Sequence, residues 1–372
     1  MQIQDHVPLA PLHTFSIRNS ARRIIFIETE QDLHQLYHEG VFQEPFLILG
    51  EGSNTIFLTS TDKTIIRIAL PGITSSSVPP SFPDQQTSET TKASLIPNAW
   101  VTAGAGVHWD QLVQWTVDHD LGGIENLSLI PGTCGAAPVQ NIGAYGVELS
   151  DVFHSLRCYD TRTGELKTMV KEECEFEYRN SVFKRTAEEG GLNGRIIILS
   201  ITLALTKFPD YEPVLTYQGI TDQLSQQGLQ SNVTPALHQI RSAVCSIRNS
   251  KLPDPSVVPN SGSFFKNPII SAEKGASLLQ HFSDLPYYPV DKDQVKIPAG
   301  WLIERAGWRG VMSGPVGTWP KQALVLIQNG DATGLDLVRF VEKLKNAVRE
   351  KFQIELEPEV NLIGMEDLIS HA

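Results

Sequence analysis

Two glycine-bearing segments carry the pattern most suggestive of ligand chemistry. Leu49-Gly50-Glu51-Gly52-Ser53-Asn54 follows an apolar run, and its glycines permit positive φ and close backbone approach, so successive N–H groups could cradle a pyrophosphate. Taken alone, a plain tight turn is the simpler reading. Thr55 stands where a Rossmann pattern wants its third glycine, and no Gly-x-x-x-x-Gly-Lys-Ser/Thr occurs anywhere. Residues 130–146, Ile-Pro-Gly-Thr-Cys-Gly-Ala-Ala-Pro-Val-Gln-Asn-Ile-Gly-Ala-Tyr-Gly, are more informative. A string so apolar yet so poor in bulk suits a backbone pressed against a flat or extended ligand; close packing of two strands is the alternative.

Other reactive side chains have ordinary readings when taken one at a time. Arg179 reads as a surface ion-pair arginine, Ser263 as part of a structural Gly-Ser turn, and Glu359 as an exposed strand carboxylate. His34 and His38 lie four apart on a predicted helix, but no Glu follows His34 as a zincin requires, so solvent exposure is favoured and no metal site is expected. Trp301, Trp308 and Trp319 suit either a sugar platform or packing. Cys134, Cys158, Cys174 and Cys245 include no Cys-x-x-Cys and read as buried thiols. The sequons beginning at Asn126 and Asn232 are treated as chance.

In combination the motifs say more. Gly50 to Asn54 together with Pro131 to Gly146 resemble the FAD-binding segments of vanillyl-alcohol-oxidase type flavoproteins, and more narrowly those of the UDP-N-acetylenolpyruvylglucosamine reductase (UDP-N-acetylmuramate dehydrogenase, MurB) family. Tyr178-Arg179-Asn180-Ser181-Val182-Phe183-Lys184 is similar to the family segment supplying a catalytic arginine, which maps to Arg179. Asn260-Ser261-Gly262-Ser263-Phe264-Phe265-Lys266-Asn267-Pro268 is similar to the loop bearing the catalytic serine, Ser263 here. Leu356-Glu357-Pro358-Glu359-Val360 matches the motif whose glutamate before valine is catalytic, hence Glu359 and not Glu357. Lys251 and Tyr217 correspond to positions that hold a UDP diphosphate, with Tyr145, Tyr178 and Asn267 completing the substrate set. The Tyr217 segment looks like the substrate-covering loop that one of the two family types possesses.

The resemblance spans roughly residues 12–364 with its motifs in order. It implies an α+β chain: a vanillyl-alcohol-oxidase (PCMH) type FAD-binding fold of two α/β subdomains, residues 1–70 and 71–210, with 351–372 returning to that part. A third α+β domain, 211–350, would bind the UDP-sugar. It further implies non-covalent FAD held by Gly50, Glu51, Gly52, Ser53, Asn54, Pro131, Gly132, Gly135, Ala136, Ala137, Asn141, Gly143, Ala144, Tyr145 and Gly146. NADPH would be the electron donor and UDP-N-acetylglucosamine enolpyruvate the substrate, reduced to UDP-N-acetylmuramate. Arg179 and Glu359 would stabilise an enolate while Ser263 supplies a proton.

This sequence departs from the family pattern in places. Glu51 stands where a third glycine is common, and Ala136-Ala137 replace hydroxyl side chains that often touch the cofactor phosphates, leaving backbone N–H donation. His13 replaces the asparagine usual before Thr14-Phe15, and residues 71–97 form a longer loop than usual. Two alternatives follow: an FAD oxidase of the same superfold, or a non-catalytic UDP-sugar-binding protein.

The elements that must position these residues are legible by periodicity. Strands are predicted over 22–27, 46–49 and 65–68, with a helix capped by Thr29 and Asp32 between the first two. Residues 71–97, rich in Ser, Thr, Pro and Gln, read as a surface loop. Strands dominate 100–205 around a helix that buries Trp109, Leu112, Val113 and Thr116. Beyond 211, one helix capped by Thr234 and begun by Pro235 turns Leu237, Ile240, Val244 and Ile247 inward. Another starts at Thr333 and Asp336 with the stripe Leu337, Val341, Leu344 and Val348, before a strand over 354–363.

At 372 residues the chain exceeds one ordinary core, and 41% hydrophobic with 19% charged residues is a globular balance. With 42 acidic against 30 basic residues, a net charge of −12 argues against nucleic acid or an anionic membrane as partner. Residues 1–11 show no basic-then-apolar leader, and the longest apolar stretch, 196–205, is half a membrane span. A cytoplasmic monomer is expected.

Overall fold

The computed structural model describes residues 1–80, 97–230 and 233–370. The chain forms two compact units: residues 1–5, 22–51 and 62–250 make the first, and 6–21, 52–61 and 251–372 the second.

The first unit is built on a six-stranded antiparallel sheet ordered Glu165–Val170, Phe153–Asp160, Ile196–Lys207, Ala99–Gly104, Ile73–Ser76, with Leu121–Gly122 also pairing to Ile196–Lys207. Ile196–Lys207 is apolar almost throughout because both its faces are covered. Ile196, Ile198, Ile201, Leu203 and Leu205 enter one core with Trp109, Leu112 and Val113, whereas Ile197 and Leu199 enter another with Ile25, Ile27, Leu33 and Leu36. The inward positions are even-numbered to Ile198 and odd-numbered from Ile201. A register shift, where Arg157 pairs Ser200 but Cys158 pairs Ile198, supplies the extra residue that flips the side-chain parity.

Part of the predicted 71–97 loop is ordered: Ile73–Ser76 is an edge strand on Ala99–Gly104. Its Ser and Thr side chains are exposed, so a strand with one neighbour tolerates them. Residues 81–96 lie outside the described residues. A four-stranded sheet runs Gln2–Pro8, Ser20–Ile27, Thr61–Ile68, Phe46–Leu49, the last two parallel. The helix Glu30–His38 starts at the expected Thr29–Asp32 capping box.

Helices Gln218–Gln226 and Leu237–Lys251 pack through Ile220, Leu224, Ile240, Ala243, Val244 and Ile247. Expected to open a separate domain at 211, they group with the first unit through residue 250. Leu237 packs with Val117 and Tyr211, and Arg241 binds both oxygens of Asp110 at 2.7 and 2.8 Å. The second helix begins at Leu237, with Gln239 Oε1 accepting from Ala236 N–H, rather than at Pro235.

In the second unit an antiparallel sheet runs Asn260–Ser263, Gln322–Gln328, Val316–Trp319, Met312–Ser313, beside a smaller one of Ile269–Ser271, Gln294–Lys296 and Tyr288–Pro289. The 19-residue helix Gly334–Phe352 buries Leu337, Phe340, Val341, Leu344, Val348 and Phe352 in that unit's core. The strand predicted over 354–363 is realised only as Asn361–Ile363, pairing parallel with Thr55–Phe57.

Candidate active site

In the first unit Arg179 sits in a tight turn closed by reciprocal backbone hydrogen bonds between Glu177 and Asn180. Its φ is +55°, a left-handed value that is costly for a residue with a Cβ and persists only where neighbours enforce it. The neighbours do so three times. Ser181 Oγ donates to Val139 O at 2.7 Å, Asn141 Nδ2 donates to Glu177 O at 3.2 Å, and Arg179 Nη2 donates to Gly143 O at 2.6 Å. The guanidinium also lies 5.5 Å from the Tyr178 ring centroid. A methyl at Gly143 would stand 2.8 Å from Glu148 Cγ and 3.1 Å from Arg179 Nη1, so glycine there lets the guanidinium dock.

The small-residue string divides into two kinds of position. Gly132, Ala137, Asn141 and Gly143 are buried and support the segment, whereas Pro131, Gly135, Ala136, Ala144, Tyr145 and Gly146 keep accessible surface. Asn141 Nδ2 donates to Glu148 and Glu177 and its Oδ1 accepts from Ser150 N–H, which engages the amide in holding the turn. The Ala136 and Ala137 N–H groups, expected to face cofactor phosphates, close a helical turn onto Thr133 O at 3.0 and 3.1 Å. Cys134 and Gly135 donate to Val107 and Ala105, so packing of two backbones, the alternative reading, accounts for the small residues at 134 and 135.

What remains is a side-chain-poor surface. Gly50 abuts Ala136 so closely that a methyl would fall 3.0 Å from its Cβ. Glu51, in place of a glycine, braces the neighbouring segment, since its Oε2 accepts from Gly132 N–H at 2.7 Å and its Oε1 lies 3.0 Å from His108 Nδ1. Tyr145 and Gly146 are the two positive-φ residues, +51° and +87°, of the turn joining Gly143–Ala144 to Val147–Glu148. A flat cofactor laid on backbone at Gly50, Gly135, Ala136 and Ala144 fits these residues, since no side chain larger than methyl rises from them.

The Tyr145 ring meets Tyr217 edge-on, 4.9 Å between centroids. Burial pushes the Tyr145 phenol up, against the pull of the nearby Arg248 charge. Arg248 escaped sequence reasoning although it lies seven residues, two helical turns, after Arg241. Tyr217 is half-exposed at the start of Gln218–Gln226, and Lys251 is exposed at the last position of Leu237–Lys251.

In the second unit Ser263 ends the strand Asn260–Ser263 and is exposed, while Phe264 and Phe265 behind it are fully buried and anchor it. Gly262 at φ +65° and a register shift between Asn260 and Ser263 turn the hydroxyl out of the regular ladder. Glu359 is nearly buried; its N–H donates to Phe264 O at 2.8 Å, placing the serine and glutamate motifs side by side. Asn54 Nδ2 donates to Glu359 O at 3.3 Å, and Asn54 O accepts from Asn361 N–H at 3.0 Å. Ser53 O accepts from Thr14 Oγ1 at 3.4 Å. Gly52, at φ +73°, could bear no side chain, since a methyl would sit 2.0 Å from Leu12 O. Asn267 Oδ1 accepts from Ala299 N–H at 2.9 Å, which commits that oxygen to the start of the helix Ala299–Arg305.

The remaining reactive side chains resolve into packing. Trp301 packs on Phe282 and Phe352, and Trp308 on Phe340. Burial pushes the Cys158 thiol up to about 12, with Cys134 and Cys174 higher still. Asn126 is fully buried and so closed to glycosylation; Asn232 lies outside the described residues. Among the described residues no cluster of three His, Cys, Asp or Glu forms a metal site, and no helix is long and apolar enough to cross a membrane.

Two family models match the chain: an FAD binding domain over residues 21–169, and the UDP-N-acetylenolpyruvoylglucosamine reductase C-terminal domain over 254–363. Together with the α+β architecture they define a flavoprotein carrying an additional C-terminal domain. The UDP-N-acetylenolpyruvoylglucosamine reductase of Pseudomonas aeruginosa strain PAO1 is 39% identical over 97% of this chain and 99% of its own length. That of Dechloromonas aromatica is 40% identical over 96% and 99%. The crystal structure of the Thermus caldophilus reductase shares the fold, with a TM-score of 0.62 at 20% identity over 98% of this chain and 99% of that one. The chain belongs to the UDP-N-acetylenolpyruvoylglucosamine reductase family.

Proposed function

We propose that this chain catalyses the NADPH-dependent, FAD-mediated reduction of UDP-N-acetylglucosamine enolpyruvate to UDP-N-acetylmuramate, a step of peptidoglycan precursor synthesis. Full-length relatedness to reductases of that name, with Arg179, Ser263 and Glu359 each present in its motif, carries the reading. FAD, when bound, takes two electrons from NADPH and delivers them to the substrate as hydride. Gly50, Gly135, Ala136 and Ala144 would hold it on bare backbone, and the motif adds Gly52, Ser53 and Asn54 to the proposed set.

The substrate receives hydride at the terminal vinyl carbon, which leaves an enolate on the carboxylate side and a carbon bearing the ether oxygen that needs a proton. Ser263 Oγ gives that proton; a hydroxyl is a weak acid, but an enolate is basic enough to take it from a well-placed donor. The Arg179 guanidinium answers the growing negative charge. Glu359 joins it in polarising and stabilising that enolate. Tyr145, Tyr178, Tyr217, Lys251 and Asn267 hold the UDP-sugar, and the enzyme works as a cytoplasmic monomer.

Stopped-flow absorbance tests the reading. The purified protein's bound flavin is reduced anaerobically with NADPH and mixed with UDP-N-acetylglucosamine enolpyruvate. Rapid reoxidation is the expected result; reduced flavin that persists until oxygen is admitted would make the protein an oxidase instead.

A further inference from the structure

Glu125 and Asn126 are consecutive, fully buried polar residues on the short helix Glu125–Leu127, and nothing in the chemistry above employs them. Burial of such groups is costly unless hydrogen bonds offset it, so their partners state their purpose. Glu125 Oε2 accepts from Gly123 N–H at 2.8 Å. The Tyr211 phenol lies beside this carboxyl and beside Val214 N–H, and burial together with the Glu125 charge pushes it up. Asn126 Nδ2 donates to Val214 O and to Tyr145 O, each at 2.9 Å. Val214 is therefore held at its carbonyl, and the same amide nitrogen ties it to the Tyr145 turn.

Two further contacts carry the tie to Tyr217. A methyl at Gly146 would stand 2.6 Å from Thr216 Oγ1, so the turn after Tyr145 lies directly under the residue before Tyr217. The Tyr145 and Tyr217 rings then meet at 4.9 Å. We propose that Glu125, Asn126 and Tyr211 form a positioning assembly that fixes the Tyr217 segment to the Tyr145 turn and thereby sets the enzyme's affinity for its nucleotide-sugar. This rests on the reading of Tyr145 and Tyr217 as substrate contacts. The assembly touches no reacting atom, so its influence falls on KM, and flavin reduction by NADPH does not depend on it.

Asn126→Asp replaces the donating amide with an acceptor, and Tyr211→Phe keeps the ring while removing the hydroxyl that stands beside Glu125 and Val214. Both retain bound FAD and an unaltered rate of flavin reduction by NADPH. KM for UDP-N-acetylglucosamine enolpyruvate rises about tenfold or more in Asn126→Asp and severalfold in Tyr211→Phe, with kcat changed far less. Amide hydrogen exchange over residues 211–217 accelerates in both, a signature of released pinning that is read without substrate. An unchanged KM with unchanged exchange in Tyr211→Phe overturns the proposal, as does a parallel fall of both half-reactions with loss of flavin. A wild type that never reoxidises with this substrate overturns the functional reading instead, and the exchange data then still decide whether the segment is pinned.

Discussion

Arg179 holds its place with a left-handed backbone, and the surrounding hydrogen bonds show how that conformation is kept. Gly143 lets the guanidinium rest on its carbonyl; Gly143→Ala puts a methyl 3.1 Å from Arg179 Nη1 and 2.8 Å from Glu148 Cγ. The variant is expected to lose roughly 1–3 kcal/mol of stability to overpacking, measured by urea unfolding, and to reoxidise its flavin with substrate at least tenfold more slowly. Arg179→Lys, which lacks the planar fork, should not recover the rate. Ser263→Ala separates proton from electrons: NADPH still reduces the flavin at the wild-type rate, whereas reoxidation by the enolpyruvyl sugar slows by about two to four orders of magnitude. Normal turnover in that variant would remove Ser263 from the mechanism. Arg179, Ser263 and Glu359 could be proposed from sequence because each stands in a local motif. The duties of Asn141 and Asn126 were not, because their partners lie as far as 36 and 88 residues away in sequence.

Helix Gly334–Phe352 was the most legible element, because cap and stripe agree: Thr333 Oγ1 accepts from Asp336 N–H at 3.2 Å while Thr333 N–H donates to Asp336 Oδ2 at 3.0 Å. Thr333→Ala removes the hydroxyl that accepts from Asp336 N–H while leaving the backbone donation to Asp336 in place, and should cost about 1 kcal/mol, with Thr333→Ser restoring most of it. Differential scanning calorimetry reads the difference, and equal melting temperatures for the Ala and Ser variants would show that the cap contributes nothing. Strand Ile196–Lys207 shows the opposite case. Its apolar content marks it as doubly covered, but the parity flip at Ser200 depends on a bulge against Arg157 and Cys158, a tertiary feature without a local signal. Ile73–Ser76 was hidden for a different reason: an edge strand with exposed side chains has the composition of a loop.

At the scale of the whole chain, an FAD-binding part was legible in sequence, but the grouping of residues 6–21, 52–61 and 351–372 in the second unit was not, because long-range grouping leaves no periodic trace. His13, the departure from the family's asparagine, lies in one of those segments. It is 3% exposed, its Nε2–H donates to Ile17 O at 3.3 Å, and its ring meets Phe57 edge-on, while Nδ1 is buried with no partner. Burial lowers its pKa from 6.5 to about 4. The unfolded chain therefore binds a proton that the folded one refuses as pH falls from about 6.5 to about 4, and stability declines through that window. At about 1.4 kcal/mol per pKa unit, the loss between pH 7 and pH 5 is about 2 kcal/mol. Above pH 7 both states hold a neutral ring and the effect vanishes. His13→Asn removes the titrating group and places the family's usual residue at this position. Urea unfolding of the variant at pH 7 and pH 5 should show a stability difference smaller than that of the wild type by about 2 kcal/mol. An equal pH dependence in both proteins would mean that His13 is hydrated enough in the folded state to take its proton, and would place the acid sensitivity of this unit elsewhere.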